Sequence, residues 1–104
     1  MNRIQRIQEM EECLDTSAKA VRDLADALTE FEAAQKAYKK LSDYYGSSKW
    51  LDDFEADEAG KLPNDLKRGV LSEDAVFDLI TEYHELNVRM MKLVTNALDK
   101  NLIY

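Results

Sequence analysis

Apolar positions in the first forty-odd residues recur at alternating steps of three and four. Ile7, Leu14, Val21, Leu28 and Gln35 fall at one seam position of a heptad. Met10, Ser17, Leu24, Phe31, Tyr38 and Tyr45 fall at the other, and charges fill most positions outside this stripe. That period predicts one long amphipathic helix over 4–45, with the character of a coiled coil. At 1.5 Å per residue it is about 60 Å long, more than so short a chain can surround. Thr16-Ser17 and Gln35 put polar groups on the seam, where mild bending or register control is expected.

Gly46 is expected to close this helix in the left-handed conformation, with Ser47 or Ser48 capping a short second helix over 49–58. On that helix Trp50, Leu51 and Phe54 share a face, while Asp52, Asp53, Glu55 and Asp57 point largely elsewhere. Gly60 ends it. Leu62-Pro63-Asn64-Asp65-Leu66 reads as a turn stopped by Gly69, and Val70 and Leu71 return to the core. Ser72, with Glu73 and Asp74 behind it, is a strong helix start, a hydroxyl cap with two acids facing the positive end of the dipole. The third helix is expected over 73–100, with Val76, Ile80, Tyr83, Met90, Val94 and Leu98 as its stripe. The fold class predicted is all-α: a long antiparallel helical hairpin with a short helix and turn-rich connection, residues 46–72, forming a head at one end. The whole chain, 1–104, is expected to be a single helical domain.

Composition agrees with a globular helical chain. Only three glycines and one proline interrupt 104 residues, which argues against disorder and an all-β fold. The net charge of −7 makes direct binding to nucleic acid or to an anionic membrane unfavourable. Cys13 is the single cysteine, so no internal disulfide forms; it flanks the seam and reads as a small packing residue. Without a signal peptide or an apolar run of membrane-spanning length, the expected compartment is the cytoplasm.

The head carries the specific signals. Six of the nine aromatic residues fall within 38–77, either as a satellite core that holds the connection down or as a docking face. The candidate interaction residues are Tyr44, Tyr45, Trp50, Asp53, Phe54, Lys67 and Arg68. Tyr44-Tyr45-Gly46-Ser47, Trp50-Leu51, Asp53-Phe54-Glu55, Gly60-Lys61-Leu62-Pro63 and the run Asp65-Leu66-Lys67-Arg68-Gly69-Val70-Leu71-Ser72-Glu73-Asp74 together resemble a bacterial family, domain-of-unknown-function family 4298. The resemblance covers nearly the whole chain and is most specific in the head. It implies a small helical protein of bacteria or their mobile elements, and it brings no activity or catalytic residues.

The chemical motifs fail on inspection. Counted from Asp53, a calcium loop lacks its glycine at the sixth position (Glu58) and its closing acid at the twelfth (Asn64). His84 is the sole histidine, which excludes a multi-histidine metal centre, and no Ser-His-Asp set, phosphate loop or dinucleotide fingerprint is present. Lys67-Arg68 is expected to neutralise Asp65, Glu73 or the 52–58 acidic run, with a small anion site as the alternative. No cofactor and no metal are expected.

The function this predicts is a non-enzymatic protein-interaction or regulatory module acting through the head and the helical surface, with an antiparallel homodimer forming a four-helix bundle. The alternatives are an acidic inhibitor or nucleic-acid mimic aimed at a basic protein, and a small-ligand or enzymatic site in the head.

Overall fold

The computed structural model describes residues 2–99, and their fold is all-α. Helix α1 spans Arg3–Tyr45, α2 spans Ser48–Glu58, a single 3-10 turn spans Gly69–Leu71, and α3 spans Glu73–Asp99. The end of the third helix expected at Lys100 lies outside the described residues. The chain divides into two units, Met1–Tyr38 and Lys39–Tyr104.

The first unit is helix alone. It starts on a reciprocal cap: the Gln5 amide donates to Asn2 Oδ1 at 2.8 Å, and the Asn2 amide donates to Gln5 Oε1 at 3.1 Å. Two of the amide donors that a helix start leaves orphaned are satisfied this way. Lys19 and Asp23 form an i,i+4 ion pair at 2.6 Å, and Thr29 Oγ1 donates to the Ala25 carbonyl. At side-chain exposures of 76% and 62% that pair contributes at most about 0.5 kcal/mol. Gln35, the polar residue on the seam, turns its Nε2 back to the Phe31 carbonyl at 3.0 Å, so its amide is satisfied within its own helix. Along the seam, burial changes abruptly. Ile4, Ile7, Met10, Leu14, Val21, Leu24 and Leu28 are exposed, whereas Phe31, Gln35 and Tyr38 are half-buried.

The second unit holds the buried side chains found among the described residues, Leu71 and Val76. Tyr45 donates its hydroxyl to the Glu73 carbonyl at 3.3 Å. One turn earlier, Leu41 shares an open groove of about 370 Å³ with Val76 and Leu79. Lower numbers on α1 therefore face higher numbers on α3, which makes the two helices antiparallel at this end. Along α3 the buried and half-buried positions include Val76, Ile80, Tyr83, Asn87 and Met90, spaced four, three, four and three, with Val88 and Ala97 also half-buried. Asn87 donates Nδ2 to the Tyr83 carbonyl at 2.8 Å, which satisfies a polar group on an otherwise apolar stripe.

The helix ends depart from expectation at two places. Gly46 does not take the left-handed conformation. Its amide continues the helical pattern to the Ser42 carbonyl (3.2 Å), and Ser47 N–H then closes a tighter turn on Tyr44 (3.0 Å), so no positive φ is needed. The left-handed glycine is Gly60, at φ 71°. There Gly60 N–H bonds to the Asp57 carbonyl and Lys61 N–H to the Ala56 carbonyl, each at 3.0 Å, the paired closure that a left-handed residue makes at a helix C-terminus. Ser47 occupies the N-cap position of α2 with extended backbone but makes no capping side-chain bond. Its hydroxyl donates instead to the Tyr44 carbonyl at 2.6 Å, joining α1 to α2.

Two outcomes follow for stability, each read by denaturant unfolding. Gly60→Ala should cost about 1 kcal/mol, because a Cβ is strained at that φ, while Gly46→Ala should be neutral or mildly stabilising. Leu71→Ala should cost about 2–5 kcal/mol, since it empties one of the two buried apolar positions among the described residues.

Candidate functional site

The candidate residues separate into two clusters within the second unit. Tyr45, Trp50 and Phe54 form an aromatic stack. The Tyr45 and Trp50 rings meet edge to face at 5.1 Å and 71°, and Trp50 lies parallel to Phe54 at 5.2 Å and 17°. Trp50 and Phe54 are one helical turn apart on α2, so their stacking follows from the i,i+4 spacing. The indole Nε1–H donates to the Val70 carbonyl at 2.9 Å, twenty residues on. That bond fixes the chain just before buried Leu71, and Tyr45 reaches Glu73 immediately beyond it. The stack holds the connection down.

Tyr44, Asp53, Lys67 and Arg68 form the other cluster. With Leu62 and Leu66 they line a shallow cleft of about 290 Å³. The Tyr44 hydroxyl donates to Asp53 Oδ2 at 2.6 Å. Its phenol is pushed up to about 12, first by that hydrogen bond, then by burial and by the carboxylate's charge. Arg68 answers the question its neighbours left open. Nη1 pairs with Asp57 Oδ1 at 2.7 Å and Nη2 donates to the Asn64 carbonyl at 3.3 Å. Both partners of the ion pair are mostly shielded, with side-chain exposures of 32% and 25%. Arg68 therefore ties α2 to the following turn rather than presenting a free guanidinium. Lys67 is exposed at the rim of the same cleft.

The acidic run is divided by these bonds. Asp53 is held by Tyr44 and Asp57 by Arg68, while Asp52, Glu55 and Glu58 are exposed. Among the described residues no group of three or more histidine, cysteine or acidic side chains is placed to hold a metal ion. His84 is exposed on α3. Cys13, expected as a packing residue, is exposed. No described helix is long and apolar enough to cross a membrane.

The sequence predicts that Arg68 neutralises Asp65, Glu73 or the 52–58 run, and its partner Asp57 lies in that run without being singled out. Sequence reasoning missed Asn64 as its second acceptor, and Leu62 and Leu66 as walls of the cleft. Asp57 lies eleven residues from Arg68, and Glu58, Asp65, Glu73, Asp74 and Asp78 are all nearer in sequence, so spacing held no signal. Asp57, expected to point largely away from the apolar face, is half-buried: seven residues after Trp50 and three after Phe54, it shares their side of the helix.

The chain belongs to the family described as Domain of unknown function (DUF4298), whose model matches residues 7–93 and so spans both the exposed seam and the head. No curated protein and no solved structure matches it.

The Tyr44–Asp53 bond has a signature at high pH. A phenol whose folded value is raised above 10 contributes stability that is complete below about pH 10 and lost as pH rises toward about 12. Absorbance titration should show one tyrosine ionising late, and Tyr44→Phe or Asp53→Asn should remove that late component.

Proposed function

We propose that this chain is a non-enzymatic protein-interaction or regulatory module, cytoplasmic and of bacterial or mobile-element origin. It acts through the helical surface of α1, with the head as a folded terminus and the Tyr44–Asp53–Lys67 cleft as a secondary, charged contact. The observation that carries this reading is the exposed seam of α1. Seven large apolar side chains from Ile4 to Leu28 stand 38–68% exposed on a helix, four of them (Ile7, Leu14, Val21 and Leu28) at one heptad position. A contiguous apolar face of this extent favours coverage by another surface. In the head, the aromatic stack and the Arg68–Asp57 pair are engaged in holding the connection, which favours a structural over a catalytic use of these residues. The net charge of −7 supports a protein partner over nucleic acid.

The test compares wild type with a Leu14→Glu, Leu24→Glu variant and with Lys67→Glu in quantitative capture from a bacterial lysate, after matching their helicity. Expected is loss of partner with the seam variant and partial loss, steeper at low salt, with Lys67→Glu. Undiminished capture by the folded seam variant would contradict the assignment.

A further inference from the structure

We propose that the exposed seam of α1 is covered by the same segment of a second copy, running antiparallel, in a register that sets residue i against residue 31 − i. This rests on reading the seam as the contact surface and names its occupant. Three features of the segment carry it.

The extent of the seam fixes the overlap. Exposed apolar positions run from Ile4 to Leu28, and burial begins at Phe31. An antiparallel twofold that covers this stretch end to end pairs residues summing to about 32. The nearest register that sets one heptad seam position against the other, as antiparallel helices require, sums to 31. Ile7 then packs on Leu24 of the second copy, Met10 on Val21 and Leu14 on Ser17, each repeated by the twofold.

Charge complementarity selects the same direction. Arg3 and Arg6 precede an acidic block, Glu9, Glu11, Glu12 and Asp15; Lys19 and Arg22 follow, and then Asp23, Asp26 and Glu30. In a parallel pair each acidic block would lie beside its own copy. In the antiparallel register Glu11 faces Arg22 of the second copy and Arg6 faces Asp23, giving four attractive contacts around the twofold. Asp23 already holds Lys19 of its own helix through Oδ2, so Glu11–Arg22 is the principal pair.

Size complementarity completes the fit. The positions flanking the seam set a larger side chain against an alanine three times over, Ile4 against Ala25, Arg6 against Ala27 and Glu11 against Ala18, and the small Cys13 against Ala20. The seven exposed side chains of each copy present roughly 1,400 Å² in all, within the range of about 1,200–2,000 Å² that stable interfaces bury.

The experiment uses the full chain. Sedimentation equilibrium of wild type, Glu11→Arg, Arg22→Glu and the combined variant is measured alongside helicity. Expected is a wild-type dimer, each reversal raising its dissociation constant about tenfold, and the combination restoring it to within about threefold of wild type. In parallel, Ala20→Cys is oxidised and its cross-link mapped by mass spectrometry; the register predicts a disulfide between Cys13 of one copy and position 20 of the other. A symmetric Cys13–Cys13 link, or additive rather than compensating charge reversals, would overturn the register. A folded monomer at 100 µM (about a hundred times a micromolar dissociation constant) would overturn the second copy as occupant. If that monomer still captured another protein through Leu14 and Leu24, the broader interaction reading would stand; seam-independent capture would remove both.

Discussion

The constraint behind this structure is a shortage of cover. A 43-residue helix presents a heptad seam along its length, yet the large apolar seam residues before Phe31 are exposed and partial burial gathers in its C-terminal turns. Among the described residues, the buried side chains are Leu71 and Val76, both in the second unit. A helix without a packed face is marginal in water even when its propensities are good, because nucleation is costly and the backbone bonds exchange with solvent. The Asn2–Gln5 cap and the i,i+4 ion pairs of α1 add tenths of a kcal/mol to about 1 kcal/mol each, too little to replace an apolar contact. The cover that residues 4–28 of α1 do not find among the described residues, their pattern of charges and alanines is suited to obtain from a second copy.

The head solves the opposite problem. A turn-rich connection has few regular backbone bonds, so it is held by individual side chains of long reach. Trp50 spans twenty residues to Val70, Arg68 spans eleven back to Asp57, and Tyr45 crosses from the end of α1 to the first residue of α3. Each of these bonds satisfies a polar group while its apolar body packs, which suits tryptophan, arginine and tyrosine to places too small for a layered core. Their shared result is to set Leu71 and Val76 inside.

The parts of this arrangement that were legible in the sequence are those governed by local period. The α1 stripe, the Ser72-Glu73-Asp74 start of α3 and the shared face of Trp50 and Phe54 all follow from helical spacing, and the three helices lie where that spacing puts them. The aromatic concentration in the head was visible as composition, but its division into a stack at Trp50 and a cleft at Tyr44 was not. Closure choices were illegible for a different reason. Gly46 and Gly60 look equally suited to a left-handed turn, and the path of the chain, ending α1 through Ser42 and Tyr44 carbonyls, decides which of them uses it. Likewise, Arg68 chose among several acids by three-dimensional proximity. The abrupt end of seam exposure at Phe31, on which the account of α1 depends, has no marker in the heptad at all.

The central claim is that residues 4–28 of α1 gain their cover by association. Amide hydrogen exchange across that segment, followed over a hundredfold range of protein concentration, tests it most directly. The account predicts fast exchange of these amides in dilute solution and protection that rises with concentration, while the amides around Leu71 and Val76 stay unchanged. Protection of residues 4–28 that is high and independent of concentration would mean the helix is already covered within its own chain, and would contradict the account.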